Sequence, residues 1–552
     1  MNVFLEAIKF NHDPASATAD ALNIRKNDNE AAPFPEWQRG MSFTAEDSVA
    51  AYAIEKTRGQ TISIKAKFKR NDPNLTTIRV QAVDASPPLS MGNVLGKVTE
   101  AEVTFADNGE SDFVTFLLDD VRLEQRGVGI SKNIWKWQFR VPPNCIWTDF
   151  AKTTHKIYTV LDVPHDPWSQ DVSSADNSQL PWAEVLDVAC DWADSAQNPT
   201  QATKLITRNT YELGYGLVTY LGDPSSYAHA NFDCTNFLRL LRGQDGMGKT
   251  FNCSDCATIV TSLSNILGCR TWEVDLVPGF ATNPIIIIGE STPRPFGFVG
   301  HEVTLTGDTL DQAVVFDALL QVDGDPDPAD RNHFDALLPA NLRFGLENEL
   351  NYRFRVSSAN NISPAFEVRH RRKIGNRVAA KFVDLHPRFI EFLKEHFDYE
   401  SWRDKQGPLE IANLNVPAFI ASSLLQGWLR VDTYSQAFVD AHLTQLLWKS
   451  PSLDPEILVR TDIFECSGVR EARALLLRLL GEFRSTPVEE LKHPVFADVA
   501  FIANDNTSLL FAYREWVVLI RSAGTKTIFL RESIRVARAE ALFNLQTQET
   551  NI

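Results

Sequence analysis

Short runs of alternating apolar and polar side chains dominate the first 165 residues. The clearest runs are TISIKAKFK (61–69), TIRVQAV (77–83) and NIWKWQFRV (133–141). Alternation with a period of two is typical of half-buried β-strands, and turn-rich pieces such as KRNDPN separate the runs. The spacing predicts an antiparallel β-sandwich over residues 1–165. Trp135 and Trp137 share one strand face, and we expect them in the core rather than on a carbohydrate platform.

Residues 180–360 show helical spacing first and strand-like runs afterwards. The helical period covers 183–196, 201–214, 232–242 and 253–267. The strand-like runs are TWEVDLV (271–277), PIIIIG (284–289), HEVTLTG (301–307) and AVVFDALL (313–320). Helices followed by strands predict an α+β domain instead of alternating βαβ units. The preceding segment 163–182 is rich in Pro, Ser, Asp and Asn and has the composition of a linker.

Residues 375–552 again mix helical and strand-like patterns. Helical spacing covers 382–397, 470–483 and about 529–545, and ADVAFIAN, SLLFAYR and EWVVLIRS are strand-like. The chain is therefore predicted to be a multidomain α+β protein. A sandwich (1–165), a central α+β domain (180–360) and a C-terminal α+β domain (375–552) follow one another. At 552 residues the chain is longer than one hydrophobic core usually serves.

The amino-acid composition of the chain restricts its possible binding partners and its cellular compartment. Lys and Arg number 54 against 71 Asp and Glu, so the net charge of −17 argues against a nucleic-acid partner. No run approaches the roughly 20 apolar residues of a membrane span, and MNVFLEAIKFNHD lacks the pattern of a signal peptide. The 7 cysteines are odd in number and sparse, which disfavours a disulfide framework. We expect a cytoplasmic protein without a membrane partner.

The stretch GQDGMGKTFNCSDCATIV (243–260) admits three interpretations. Its G-x-x-x-x-G-K-[ST] pattern, which ends at Lys249 and Thr250, matches a phosphate-binding loop. Such a loop follows a buried strand, whereas NFDCTNFLRLLR before Gly243 has the spacing of an amphipathic helix. The phosphate-binding interpretation is therefore disfavoured, and GQDGMGK is expected to be a glycine loop.

A helix begins directly after Asn252. Asn252 is a good N-cap, and Asp255 three residues later completes a variant of the capping box. Cys253 then occupies the first helical position, beside unpaired N–H groups and the positive end of the helix dipole. Both favour a thiolate. Cys256 falls on the apolar helix face, where a thiol is usually inert.

The C-x-x-C spacing of Cys253 and Cys256 leaves a redox pair or a zinc site as alternatives. A thioredoxin-like motif follows a strand, but here a glycine loop precedes the cysteines. A zinc site would use Cys234 and Cys269 as well, yet the knuckle spacing occurs once instead of twice. Both alternatives require Cys256 to matter as much as Cys253.

A nucleophilic thiolate needs a histidine and a group that orients it. His301 opens the strand-like run HEVTLTG, and Asp317 ends the apolar run AVVFD. Adjacent antiparallel strands would place these two side chains together. From the residues alone, a structural strand histidine remains the alternative.

The stretch NCSDCATIVTSLSNILGCRTWEVDLVPGF resembles the transglutaminase-like superfamily of cysteine enzymes. In that superfamily a cysteine opens a helix in a C-x-D-x-A pattern, which Cys253, Asp255 and Ala257 match. The helix ends in Leu-Gly, as at Leu267 and Gly268, and an arginine and a strand follow. The superfamily's histidine begins one strand and its aspartate follows an aromatic on the next, as His301 and Asp317 do here.

The resemblance covers roughly residues 200–325 and implies a papain-like α+β fold with catalytic residues Cys253, His301 and Asp317. It implies acyl transfer or hydrolysis at a peptide or carboxamide bond through a Cys253 thioester, without a cofactor or metal. The second oxyanion donor would come from upstream, where Trp192, Tyr211 and Tyr220 are candidates. A peptide or protein would be the substrate, and the flanking domains would bind another protein. An inactive scaffold is the alternative.

Overall fold

The structure is a computed structural model whose described residues fall into two compact units. The first unit comprises residues 1–206 and 260–271, and the second comprises 207–259 and 272–552. The described residues are 3–12, 21–41, 48–86, 93–172, 179–222, 225–244, 246–277, 280–291, 293–298, 300–307, 313–321, 351–357, 363–375, 387–406, 415–438, 440–451, 457–483, 488–492, 496–504, 506–524, 526 and 528–530. The predicted helix at 529–545 lies almost wholly outside them. The prediction of three domains stays a prediction.

The first unit contains most of the β-structure that the alternating pattern predicts. Its strands are β1 (Val3–Lys9), β2 (Trp37–Gln38), β3 (Val49–Ala53), β4 (Ser63–Arg70), β5 (Thr77–Asp84), β6 (Lys97–Thr104), β7 (Val114–Asp119), β8 (Gly129–Arg140) and β9 (Thr148–Val160). Its helices are α1 (Ile54–Thr57), α2 (Leu123–Arg126) and α3 (Ala183–Trp192), with the first part of α4 (Pro199–Glu212).

These strands join in the order β2-β1-β4-β7-β6-β5-β8-β9-β3. The pairing is antiparallel except between β3 and β9, and β6 meets β7 through Lys97↔Asp119 and Val98↔Leu118 alone. Trp137 on β8 contacts Phe68 on β4 with ring centroids 6.0 Å apart, which shows that the sheet curls. The strands therefore form one curled, mixed sheet rather than two separate antiparallel sheets.

Trp135 and Trp137 lie in the core of this curled sheet, as predicted from their shared strand face. Both side chains are fully buried. The indole of Trp135 donates to the carbonyl of Gly96 at 2.8 Å, and the indole of Trp137 donates to Thr153 at 3.0 Å. Each buried indole N–H thus has a partner, so neither ring is available as a carbohydrate platform.

The segment predicted to be a linker, 163–182, is packed where the structure describes it. Trp168 and Trp182 are buried, with ring centroids 6.0 Å apart. The Trp168 indole donates to the carbonyl of Ser262 at 2.8 Å. The linker prediction rested on the many polar residues of this segment and gave no weight to its two tryptophans. Because both tryptophans are buried, the segment packs against the core and the prediction was wrong.

Gly268 follows the helix that begins at Cys253 and approaches the chain at Asp162. Its φ is +85°, and an added Cβ would lie 2.6 Å from the carbonyl oxygen of Asp162. Gly243 also has a positive φ of +71°, but an added Cβ there would meet nothing within 4 Å. The first glycine is therefore required by space and backbone angle, and the second by backbone angle alone.

We expect Gly268→Ala to lower the free energy of unfolding by about 3 kcal/mol, because left-handed strain of about 1–2 kcal/mol adds to a backbone clash. Gly243→Ala should cost only the strain, about 1 kcal/mol. Urea unfolding followed by tryptophan fluorescence measures both. Equal losses in the two variants would show that the contact with Asp162 is unimportant.

The second unit contains the remaining helices and strands. Its helices are the rest of α4, α5 (Cys234–Leu241), α6 (Cys253–Ile266, of which residues 253–259 belong here), α7 (Tyr352–Val356), α8 (Pro387–His396), α9 (Tyr399–Trp402), α10 (Val416–Phe419) and α11 (Val469–Leu480). Its strands are β10 (Thr219–Tyr220), β11 (Asn231–Phe232), β12 (Thr250–Phe251), β13 (Trp272–Val277), β14 (Ile286–Ile287), β15 (His301–Thr306), β16 (Val314–Phe316), β17 (Leu320–Gln321), β18 (Ser363–His370), β19 (Lys373–Ile374), β20 (Leu429–Ala437), β21 (Ala441–Lys449), β22 (Ile457–Cys466), β23 (Val488–Glu490), β24 (Val499–Ala503), β25 (Ser508–Tyr513) and β26 (Trp516–Gly524).

Two sheets organise this unit. One runs β16-β15-β13-β18 and is antiparallel at every pair. The other runs β20-β21-β22-β26-β25-β24-β23, and α11 packs its leucines against its strands in a buried apolar cluster. The prediction of a multidomain α+β protein is therefore confirmed at this coarse level. No helix of the described residues is long and apolar enough to cross a membrane.

Candidate functional site

The start of α6 carries the capping box predicted from Asn252 and Asp255. The Asp255 backbone N–H donates to Oδ1 of Asn252 at 3.0 Å, and the Asn252 backbone N–H donates to Oδ2 of Asp255 at 3.2 Å. This reciprocal pair satisfies two of the N–H groups that a helix start leaves without partners. Cys253 is thereby fixed as the first residue of the helix.

Asp255 also organises the loop that faces the helix start. Its carboxylate accepts backbone N–H groups from Ser226 at 2.9 Å, Tyr227 at 2.7 Å and Ala228 at 2.8 Å. Burial raises the pKa of Asp255 to about 6, although these hydrogen bonds and that of Asn252 lower it. One buried carboxyl thus ties residues 226–228 to the segment that presents Cys253.

The two cysteines of the C-x-x-C pair have different surroundings. Cys253 is partly exposed, whereas Cys256 is buried on the apolar face of α6. Burial raises the pKa of the Cys256 thiol well above its ordinary value. Within the described residues, no group of three or more potential metal ligands contains a cysteine. These findings disfavour the redox and zinc interpretations, since both need a reactive Cys256.

The phosphate-binding interpretation also lacks the structure it requires. The residues before Gly243 form helix α5 rather than a strand. Lys249 pairs with Asp432 on β20, and Thr250 lies in β12. The predicted helix before the glycine loop is therefore present, and Lys249 already has an anionic partner.

His301 and Asp317 lie together at neighbouring strands, as their positions in the sequence predicted. Strands β15 and β16 are antiparallel neighbours with Thr304 opposite Phe316. His301 is the first residue of β15, and Asp317 directly follows β16. The Nε2 atom of His301 lies 2.8 Å from Oδ2 of Asp317, and both side chains are almost completely buried.

Further hydrogen bonds hold the Asp317 carboxylate in place. The Tyr352 hydroxyl donates to Oδ2 at 2.7 Å, and the backbone N–H of Leu319 donates to Oδ1 at 2.9 Å. Tyr352 begins the short helix α7 and is fully buried. Asp317 is therefore an acceptor with fixed orientation rather than a free carboxylate at a strand end.

Two phenylalanines enclose the His301 ring. Phe298 stacks on it with centroids 4.4 Å apart and an interplanar angle of 24°, and Phe280 meets it edge-on at 6.2 Å. Apolar walls exclude water from the ring and strengthen the electrostatic interaction with Asp317. The imidazole therefore has few neighbours that can orient it. Asp317, which contacts Nε2, is the charged one among them.

Asp317 contacts Nε2 of His301, so Nδ1 is the ring nitrogen left for another partner. Burial alone disfavours the imidazolium, but Asp317 and the Cys253 thiol together raise the pKa of His301 to about 10. Nδ1 is buried and has no hydrogen-bond partner among the described residues in this conformation. Catalytic hydrogen bonds are often long until substrate binds. The site therefore combines a thiol, an imidazole and a carboxylate in one electrostatically coupled group.

Of the three oxyanion candidates, Tyr220 lies on β10, which pairs with β12 directly before the helix start. Burial and then the charges of Glu482 and Cys253 raise the pKa of Tyr220 well above its ordinary value. The Tyr211 hydroxyl instead donates to Gln321 at 3.0 Å, and Trp192 lies in α3 of the first unit. Spacing could not select Tyr220, because nothing in the sequence shows that β10 pairs with β12 beside the helix start.

Sequence reasoning missed Tyr352 and Phe298 entirely. Tyr352 lies far along the chain from Asp317 and stands in no motif that would signal a hydroxyl donor. Phe298 is three residues before His301, so the aromatic neighbour of this ring was visible in the sequence, although its stacking was not. The contact of Tyr352 with Asp317 is tertiary and has no local signal.

The described residues place a histidine–aspartate pair and a cysteine at a helix start on an α+β scaffold, and comparisons with known proteins add a distant match. A search of solved structures matches red sea bream transglutaminase over 85% of this chain and 75% of that chain, with 10% sequence identity and a TM-score of 0.29. A TM-score this low does not establish a shared fold. No protein-family model and no curated protein matches the chain.

Proposed function

We propose that the chain is a transglutaminase-like cysteine enzyme that transfers or hydrolyses an acyl group at a peptide or carboxamide bond. The observation that carries this proposal is the buried contact of 2.8 Å between His301 and Asp317, beside a partly exposed cysteine at a capped helix start. The catalytic residues are Cys253, His301 and Asp317.

The first half of the reaction forms a thioester. The Cys253 thiolate attacks the carbonyl carbon, and the carbonyl oxygen becomes an oxyanion near the backbone N–H of Cys253 and the Tyr220 hydroxyl. The C–N bond then breaks, and the His301 imidazolium gives its proton to the leaving amine. Asp317 orients the ring and stabilises the imidazolium, which its pKa of about 10 favours.

The second half releases the acyl group. Water or an amine attacks the thioester, His301 takes the proton of the attacking group, and the C–S bond breaks to restore the thiolate. No step needs a metal or an organic cofactor. Water yields a carboxylic acid, and the amine of a second peptide or protein yields a new amide.

Alkylation of the cysteines by iodoacetamide against pH tests the Cys253–His301 pair. In the native protein we expect Cys253 to react faster than exposed Cys145 by about tenfold or more between pH 6 and 7.5, because a neighbouring imidazolium stabilises a thiolate. His301→Ala should remove that advantage. Mass spectrometry of each cysteine-containing peptide gives the rates, with buried Cys256 as the internal slow control.

Two results would contradict the proposal. If Cys253 reacts like Cys145 in the native protein, the fold serves as an inactive scaffold or binding protein. If Cys253 and Cys256 react together regardless of His301, a redox or metal pair is the better interpretation. Preserved circular dichroism of His301→Ala would show that a lost advantage is not lost folding.

A further inference from the structure

A second group of charged side chains lies between α6 and the sheet β16-β15-β13-β18. We call Glu273, Glu302, His370 and Arg372 the arginine cluster. Glu273 is on β13, Glu302 is on β15 next to His301, His370 ends β18, and Arg372 follows it. Both glutamates are buried, and the Arg372 side chain is 15% exposed. None of these residues belongs to the proposed acyl-transfer chemistry.

Arg372 uses nearly every donor it has within this cluster. Its backbone N–H donates to Glu273 at 2.9 Å, and Nε donates to the carbonyl of His229 at 2.7 Å. Nη2 donates to Glu302 at 3.0 Å, while Nη1 binds both carboxylates and lies 3.0 Å from the Thr258 hydroxyl. A planar guanidinium suits such a fork between two carboxylates, where a lysine would not.

The arginine also explains why this cluster is unsuited to a metal ion. Glu273, Glu302 and His370 each offer one potential ligand atom, and these three atoms lie within 4.8 Å of one another. A cation could bind at that spacing. The guanidinium of Arg372 lies between the same two carboxylates. The guanidinium of Arg372 therefore supplies the positive charge that a metal ion would otherwise supply at this site.

The cluster is joined to α6 in the second turn of the helix that Cys253 begins. The Thr258 hydroxyl donates to Glu273 at 2.6 Å and lies 3.0 Å from Nη1 of Arg372. Arg372 in turn binds Glu302, the residue after His301. The helix is thus tied to β13 and β15 through carboxylates that Arg372 holds together.

We propose that Arg372 is a positioning residue that sets the separation of Cys253 and His301 by fixing the start of α6 against β15. The proposal rests on the function proposed above, because it assumes that these two residues act as a pair. The guanidinium does not touch the reacting atoms. It acts through Glu302, which is covalently adjacent to His301, and through Thr258, which lies on the helix that Cys253 begins.

The charges around the cluster explain why a neutral side chain could not replace Arg372. Burial raises the pKa of Glu273 to about 7, whereas His370, Ser254 and Arg372 outweigh burial and lower the pKa of Glu302. The neighbouring Asp275 also has a raised pKa, through burial and the charge of Glu302. Without Arg372, carboxylates would repel one another behind the nucleophile, and the strands would move apart from α6.

Alkylation of Cys253 tests this role without a known substrate. Arg372→Ala should slow labelling at pH 7 by about 10- to 100-fold, the size of effect expected from a displacement near 1 Å. Millimolar guanidinium should restore part of the rate, whereas urea, its neutral analogue, should not.

Thr304→Val is the matched control. The Thr304 hydroxyl donates to the carbonyl of Ala257 at 2.9 Å, so it also links β15 to α6, but it lies outside the arginine cluster. Its labelling rate and pH profile should stay within twofold of the native protein. If Arg372→Ala fails to fold, Thr258→Val decides, since it removes the hydroxyl through which the cluster contacts α6 and keeps the guanidinium.

The outcomes separate this inference from the proposed function. If His301→Ala abolishes the labelling advantage but Arg372→Ala and Thr258→Val keep native rates, the positioning role is wrong and the catalytic pair stands. If His301→Ala leaves the advantage unchanged, the proposed function fails first. Slowed labelling in Arg372→Ala that guanidinium restores and urea does not, with an unaffected Thr304→Val, supports the positioning role.

Discussion

Asp317→Asn is expected to slow acylation of Cys253 by about 10³- to 10⁴-fold without unfolding the protein. The Asn oxygen would remain on the Leu319 N–H, so the amide NH₂ would face His301 and Tyr352. Nε2 of His301 would then have to accept a hydrogen bond, and the ring proton would move to Nδ1. An Nδ1–H tautomer cannot take a proton from Cys253, so the thiolate would form rarely.

The acylation rate can be measured with p-nitrophenyl acetate, whose activated ester reports on any accessible thiolate. One equivalent of nitrophenolate should be released in a burst, and the acetyl group should be found on Cys253 by mass spectrometry. Tyr352→Phe is the matched control, because it removes one hydrogen bond from Asp317 but leaves the tautomer of His301 unchanged. We expect less than a tenfold loss there. Equal losses in both variants would argue against the tautomer explanation.

The same substitution should change how stability depends on pH. In the folded protein the pKa of His301 is raised from 6.5 to about 10. A raised pKa means that the protonated ring stabilises the fold fully below about pH 6.5 and that this contribution is lost as pH rises through about 10. Asp317→Asn removes the charge that causes the shift, so the decline of stability between pH 6.5 and 10 should become shallower.

Asp255→Ala is expected to lower the free energy of unfolding by at least about 4 kcal/mol. The carboxylate accepts four backbone N–H groups, from Ser226, Tyr227, Ala228 and Asn252, and each buried donor left unsatisfied costs about 1–3 kcal/mol. Urea unfolding measures the loss. Cys253 should also lose its labelling advantage, because the helix start that presents it would be released.

The control for this prediction is Asp233→Ala, at the start of the neighbouring helix α5. Asp233 accepts the backbone N–H of Asn236 at 3.2 Å and its side-chain amide at 2.9 Å. Loss of an ordinary helix cap costs about 1–2 kcal/mol. If both variants lose the same amount, the network of Asp255 is worth no more than one cap.

The parts of the site that could be predicted from the sequence are those with a local signal. Asn252 and Asp255 are three residues apart, which is the geometry of a capping box, and the spacing of apolar residues fixed the helix that begins at Cys253. His301 begins one strand-like run and Asp317 ends the next, so antiparallel pairing of adjacent strands was enough to bring them together.

The parts that could not be predicted depend on contacts between distant segments. The Tyr352 hydroxyl reaches Asp317 from a short helix of five residues, which carries too little periodic pattern to be assigned. Arg372 follows β18 and stands among several basic residues in the sequence, so nothing marked it as the one that binds two carboxylates. The parallel pairing of β3 with β9 likewise has no signature in either strand.

The carbonyl of Tyr220 shows where the protein can be shortened and where it cannot. Arg460 on β22 and Arg521 on β26 each donate to that oxygen at 3.1 Å, and both arginines are buried. A minimal fragment that ends before residue 387 would keep Cys253, His301 and Asp317 but would remove both donors from the carbonyl of Tyr220, the proposed oxyanion donor. A shortened protein that is meant to keep the proposed chemistry should therefore retain every residue through β26. A fusion partner should not replace any segment before the end of that strand.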